Sequence, residues 1–286
     1  KDWKIILTTN NKTTMKKSLL LILCALFLGA MPAYGWGRLG HSTIAKIAED
    51  YLTPKAKKTI DNYLNGQSII HYASYPDDYR SEHLIDIGFD ATNCPRKTVW
   101  GHSFQALKDG SLYRSERRGN EYVKNCLLRI DPVIKDLKAN HKNMTDSARL
   151  VSIAFIVHVV GDLHCPKHIR YEDEPTSGGY EVVFRGKRVK YHAYWDGLLL
   201  QAYHPWGYQD LAYLLDRASK SERKELMKGD VFTWGEENAR DSRFTVARGE
   251  GYVINRLTTN EDVKHAERQI ARAGYRLAAV LNDIFK

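Results

Sequence analysis

Residues 146–163 constrain the fold of this chain more than any other stretch. Leu150, Val151, Ile153, Ala154, Phe155, Ile156, Val157, Val159 and Val160 leave a helix here with almost no polar face. A helix apolar nearly all round belongs at the centre of a bundle, covered by other elements. Yet His158 and Asp162 sit inside this one, four residues apart and so on one face. A buried carboxylate without a partner is very costly; a metal ion would satisfy both groups at once. Pro166 ends the helix, and His168 then reaches back toward the same point. His192-Ala193-Tyr194-Trp195-Asp196 repeats the His-to-Asp spacing with large aromatics between. One such pair is more often a hydrogen-bonded structural pair than a metal site. Two pairs plus His168, one of them in a buried helix, favour metal binding. Zn2+ accepts this mixture of imidazole nitrogen and carboxylate oxygen.

The rest of the pattern supports a mainly α fold: one helical domain with a small β-hairpin. Ile44, Ile47, Ala48 and Leu52 recur at helical spacing over 41–52, and Thr53-Pro54 opens a helix at about 54–64. Further helices are expected near 120–139, 146–163, 192–203, 207–219 and 262–284. Val182-Val183-Phe184, then Arg185-Gly186-Lys187, then Arg188-Val189-Lys190 reads as the hairpin. Residues 65–119 are the least regular. No linker, repeat or low-complexity tract divides 36–286, which is long enough for one sizeable core.

Upstream, Met15-Lys16-Lys17 precedes an apolar run of about a dozen residues, the length of a signal-peptide core and short for a membrane span. Ala33-Tyr34-Gly35 supplies the small residues a signal peptidase reads. The expectation is a leader over 15–35, an upstream extension over 1–14, and a mature domain of 36–286 that starts at Trp36 and is secreted or periplasmic. The formal charge is +9 for the 286 residues; without the five Lys and one Asp of 1–35 it is +5. That mild excess suits a polyanionic substrate without demanding one. Cys94, Cys126 and Cys165 remain after cleavage, an odd number at spacings unlike a Cys-based zinc site; they allow at most one intramolecular disulfide, and no dense cysteine framework argues for it. No Ser-His-Asp or phosphate-loop signature is present.

At this point the chain resembles the zinc-dependent, single-strand-specific nucleases of fungi, plants and bacteria, the S1/P1 nuclease family. Trp36-Gly37-Arg38-Leu39-Gly40-His41 looks like the family's opening Trp-Gly-x-x-Gly-His. Ala73-Ser74-Tyr75-Pro76-Asp77-Asp78-Tyr79-Arg80 looks like its Ala-Ser-Trp-Ala-Asp-x-x-Arg. Residues 158–168 match its His-x-x-x-Asp-x-His-x-Pro-x-His, and Gly178-Gly179, His192 and Asp196 follow in the family's order. Each motif is modest alone; together and in order they are specific. Two departures stand out. Trp-Ala-Asp becomes Tyr75-Pro76-Asp77, and Gly-Gly-Asn becomes Gly178-Gly179-Tyr180, where an amide gives way to a phenol.

The resemblance implies three zinc ions. One would be held by Asp77, His158, Asp162 and a further His. His102 is favoured for that place over His83, which has the better local pattern but stands only six residues from Asp77. A second would be held by His168, His192 and Asp196. A third would be held by His41, Asp162 and the amine and carbonyl of Trp36, an amine that only leader cleavage frees. His164 would support the site without being a ligand, while His71, His141, His204 and His265 match no ligand position. Arg80 would clamp phosphoryl oxygens. Tyr180 is a candidate for substrate binding, and Lys167, Arg170 and Arg185 for positive potential. The implied activity is a secreted endonuclease and 3′-nucleotidase, acting on single-stranded DNA or RNA. A hydroxide bridging two zincs would attack phosphorus, Asp162 would orient the metals, and 5′-phosphates would result. The expected protein is a monomer with no stable membrane association. The alternatives are a zinc phospholipase C, whose family usually has Glu where Asp196 stands, and a catalytically degenerate zinc-binding protein.

Overall fold

The computed structural model of the chain describes residues 36–78, 102–115, 117–118, 121–122, 125–174 and 179–286. The leader, Arg80, His83, Cys94 and Gly178 lie outside them.

The apolar helix is α5 (Asp146–Asp162) once its predecessors are counted: α1 (Gly37–Asp50), α2 (Pro54–Tyr63), α3 (Tyr75–Asp78) and α4 (Leu127–Asn140). Thr145 opens α5 by accepting a hydrogen bond from the Ala148 N–H at 3.2 Å, and Asp146 places a negative charge at its positive end. Every residue from Val151 to Asp162 is buried, as the lack of a polar face requires. α1, α3 and α4 pack against it, and so does the long α11 (Arg256–Ile284). Asn255 caps α11 by accepting from Thr258 N–H at 3.0 Å. α1 crosses α11 so closely that a Cβ on Gly274 would lie 2.6 Å from Ile47 Cβ.

Downstream of α5, a 3-10 turn (Pro166–His168) leads into β4 (Ile169–Tyr171). β4 pairs in parallel with β1 (Phe104–Ala106), in the register Phe104 to Ile169 and Ala106 to Tyr171. This pairing brings His102, two residues before β1, beside His168. The expected hairpin forms from β5 (Glu181–Phe184) and β6 (Lys187–Lys190), with Val182 opposite Val189. Arg185 and Gly186 both take positive φ, 49° and 75°, as a two-residue hairpin turn requires.

A helical run follows: α6 (Tyr191–Ala193), a π-helical turn (Tyr194–Leu198) and α7 (Leu199–Tyr203). Then come α8 (Tyr208–Leu215), α9 (Lys220–Leu226), α10 (Val231–Asp241) and a 3-10 turn (Arg243–Ala247).

The mainly helical expectation stands, and the differences have local causes. The helix expected from about 120 begins at Leu127, because Glu121–Tyr122 forms β3 against β2 (Arg117–Arg118). The last helix begins six residues before 262, where Asn255 provides its cap. α9 and α10 were not anticipated, although Ser219 with Glu222 forms a capping box and Asp230 accepts from Thr233 N–H at 2.8 Å. The hairpin is not the only β-structure: β7 (Val253–Ile254) joins β5 in parallel, and such a pairing leaves little local pattern.

Candidate metal centre

Asp162 stands at the C-terminal end of α5, fully buried, with imidazoles around both its oxygens. His41 Nε2 lies 3.2 Å from Oδ1; His158 Nε2 and His102 Nδ1 lie 3.0 and 3.3 Å from Oδ2. His168 approaches within 3.7 Å. Asp77, carried by the short α3, lies 3.7 Å from both His102 and His158. His41 comes from α1 and stacks on His158 with ring centroids 4.1 Å apart. A Cβ on Gly161 would sit 2.9 Å from His41 Nδ1, so the glycine makes room for that ring.

A second cluster lies alongside. His168 Nε2 is 3.4 Å from Asp196 Oδ1, and His192 Nδ1 is 2.6 Å from Asp196 Oδ2. His168 and His192 stack at 4.8 Å. Tyr191, Tyr194 and Trp195 are fully buried, so their demand for the core turns His192 and Asp196 to the other side of the run. A π-turn widens the helix at Asp196, a distortion common at functional sites. Tyr194 is held by a hydrogen bond from its hydroxyl to Asp262 Oδ2 (2.8 Å), and Arg248 donates to both Asp262 oxygens (2.8 and 2.7 Å).

The hydrogen bonds around the clusters set the tautomers. His158 Nδ1 donates to the Ala73 carbonyl (2.9 Å) and His168 Nδ1 to the His102 carbonyl (3.1 Å). Each therefore offers Nε2 inward, the arrangement expected of metal-ligating histidines. His41 Nδ1 and Nε2, His158 Nε2, both Asp162 oxygens, His168 Nε2 and Asp196 Oδ2 are buried without a well-aligned hydrogen bond among the described residues. So many orphaned polar atoms facing one another would be costly. Their convergence fits cations, and the donor set of imidazole and carboxylate fits zinc. Among the described residues, three groups of donors lie close enough to hold an ion: His41, Asp77 and His158; His102, His158 and Asp162; and Cys165, His168 and Asp196.

The electrostatics tell the same story. Burial lowers the His158 imidazole, but Asp162 and Asp77 outweigh it and raise it to about 9. Burial would raise Asp162, yet the His158 and His168 charges hold it well below the carboxylate range. Burial lifts Asp196 to about 7 and drops His192 to about 3, the latter helped by the Arg170 charge. In this arrangement His158 supplies the positive charge that the carboxylates demand. A cation would take over that task.

The structure brings together His41, Asp77, His102, His158, Asp162, His168, His192 and Asp196. Trp36 is buried next to them: its indole donates to the Gly161 carbonyl at 2.9 Å, and its own carbonyl accepts from Gly40 N–H at 3.2 Å. Both nitrogens of His164 are used elsewhere, on the Val160 carbonyl and on Arg276, so it ligates nothing. Its bonds support the end of α5 and not a ligand side chain. Tyr180 differs from expectation. Its ring is buried, and its hydroxyl donates to Glu174 at 3.3 Å and faces the Thr245 carbonyl at 3.5 Å. Lys167 is also fully buried and paired with Glu174, with its ammonium over the Tyr180 and Tyr191 rings. Neither side chain is presented to a groove. Arg185 is exposed and stacks on Phe184 and Tyr203.

Cys165 enters the second cluster unannounced by the sequence reading. Its thiol donates to Asp196 Oδ1 at 3.6 Å, while Cys126, also buried, is free as well. The overlooked signal was the Cys-x-x-His spacing of Cys165 and His168, masked by the absence of a second such pair.

Comparison with known proteins agrees with this geometry. The family model described as S1/P1 Nuclease matches residues 36–286. Endonuclease 5 of Arabidopsis thaliana is 20% identical over 294 residues, covering 93% of this chain and 95% of that protein. Nuclease S1 of Aspergillus oryzae is 24% identical over 189 residues, 62% of this chain and 59% of that one. Nuclease P1 of Penicillium citrinum is 25% identical over 181 residues, 58% of each chain. With its order of motifs, its helical fold and its buried His and Asp groups able to hold metal, the chain belongs to the S1/P1 nuclease family.

Proposed function

We propose that the chain is a zinc-dependent phosphodiesterase that cleaves single-stranded DNA or RNA, and 3′-nucleotides, to 5′-phosphate products. The observation that carries this reading is the buried Asp162, with His41 against one oxygen and His158 and His102 against the other. A carboxylate so placed would be shared between two ions. We assign Asp77, His102, His158 and Asp162 to one ion; His168, His192 and Asp196 to a second; His41, Asp162 and Trp36 to a third.

Zinc bound there supplies Lewis acidity toward phosphoryl oxygens and a lowered pKa for water. The chain's own residues do the rest. Asp162 fixes the spacing of two ligand sets. His158 and His168 are held in one tautomer by the Ala73 and His102 carbonyls. Arg80, three residues after Asp77, is assigned the phosphoryl clamp, for which a planar guanidinium fork is suited. Trp36 joins the third set through its amine after cleavage at Gly35, which makes export and maturation one event and implies a secreted or periplasmic enzyme. The anchoring of its indole on Gly161, the neighbour of Asp162, supports that assignment.

The test uses the zinc-loaded protein with single-stranded DNA, RNA, a 3′-nucleotide and phosphatidylcholine as substrates. Nucleic-acid cleavage to 5′-phosphate ends should vanish with EDTA and fall by about 10²–10³-fold in Asp162→Ala, the order of loss when a main stabilising group is removed. Cleavage of phosphatidylcholine alone would assign the protein to lipid hydrolysis. Bound zinc without hydrolysis of any substrate would leave only a binding role.

A further inference from the structure

The second cluster holds a donor beyond the three assigned to it. We propose that Cys165 is a thiolate ligand of the ion held by His168, His192 and Asp196, making that centre a sulfur-containing one. This rests on the metal-binding reading of the site.

Cys165 is fully buried, and its only described side-chain partner is Asp196. His168 Nε2 and Asp196 Oδ2, both buried, lack well-aligned hydrogen bonds at the same place. Two of the separations are those of ligands around one ion, while His192 Nδ1 stands at hydrogen-bond distance, 2.6 Å, from Asp196 Oδ2. Zinc–sulfur, zinc–nitrogen and zinc–oxygen bonds of ordinary length at tetrahedral angles put sulfur about 3.6 Å from oxygen and nitrogen about 3.4 Å from oxygen. The observed values are 3.6 Å for Cys165 Sγ to Asp196 Oδ1 and 3.4 Å for His168 Nε2 to the same oxygen.

The backbone explains how the two donors meet. Cys165 is extended (φ −84°, ψ 125°), and the 3-10 turn started by Pro166 returns the chain so that His168, three residues on, faces the same carboxylate. Binding releases the thiol proton to solvent, and the sulfur lone pair replaces the S–H bond to Asp196 with a bond to the cation. A soft donor among imidazole and carboxylate favours Zn2+ or Cd2+ over Mg2+ or Mn2+ at this one centre.

The experiment loads the metal-free protein with Co2+ and records both bound cobalt, by equilibrium dialysis, and near-ultraviolet absorption. A thiolate-to-cobalt charge-transfer band should appear in the wild type, persist in Cys94→Ser and Cys126→Ser, and be lost in Cys165→Ser and Cys165→Ala. Cobalt bound without that band in the wild type overturns sulfur ligation whatever the variants do. A band that survives in Cys165→Ser overturns it too, leaving Cys165 as a hydrogen-bond donor to Asp196. Failure to bind cobalt at all would sink the metal reading itself, a separate result.

Discussion

Asp162 and Gly161 show how much one position can decide. Asp162 collects four imidazoles because α5 ends there, with α1 on one side and the β1–β4 pair on the other. Gly161 matters through what it lacks. A methyl group there would meet His41 Nδ1 at 2.9 Å, Cε1 at 3.1 Å and Ile44 Cδ1 at 3.3 Å. These atoms lie in the core, where overpacking typically costs about 1–3 kcal/mol. Gly161→Ala should therefore destabilise the metal-free protein by about that much in a denaturant titration. It should also displace His41, so the loaded variant should hold fewer ions in a metal assay. A variant with unchanged zinc content would remove His41 from the ligand set.

Among the elements, α11 is the one that locks the helical run carrying His192 and Asp196. Its His265 lies buried against Trp195 and Phe244, accepts from Arg268 on Nδ1 (2.8 Å) and meets Ser242 through Nε2 (3.0 Å). Burial, then the neighbouring arginine charge, lowers this imidazole to about 4. The unfolded chain therefore binds a proton here that the folded chain refuses between roughly pH 6.5 and 4. Stability should be complete above pH 6.5 and decline as the pH falls through that window, by roughly 3 kcal/mol at most from this residue. Urea titrations in EDTA, which removes the separate proton linkage of metal binding, should show that slope reduced in His265→Gln. An unchanged slope would mean that other groups set it.

For the molecule as a whole, any cations held by these groups would be part of the fold. The buried carboxylates Asp77, Asp162 and Asp196 are gathered with histidines from five separate parts of the chain. Ions that bind this arrangement and not the unfolded chain must stabilise it, by about 2.7 kcal/mol per site at a hundredfold excess over Kd. EDTA should lower the melting temperature, and zinc should restore it in a concentration-dependent way; equal melting with and without zinc would show that the clusters do not bind it. A chain starting at Trp36 should take up one more zinc ion than the chain retaining residues 1–35, as counted by atomic absorption. Equal counts would exclude the Trp36 amine as a ligand.

Sequence alone settled what had to be buried and which groups could not be buried alone. An apolar helix containing His158 and Asp162 is a local fact: its periodicity specifies its environment, and its polar pair specifies a partner. The i, i+4 spacing of His192 and Asp196, the Pro166 stop and the hairpin turn at Arg185-Gly186 are local for the same reason. Tertiary structure decided what depends on contacts distant in sequence. His102 reaches Asp162 because β1 pairs with β4, a register that involves residues more than sixty positions apart. Lys167 and Tyr180 are buried because Glu174 accepts from both, and a lysine's charge or a tyrosine's ring gives no advance sign of such a partner. Cys165 joins His168 and Asp196 because a helix end and a π-turn converge. Spacing along a chain reports which side chains share a face; it does not report which faces meet.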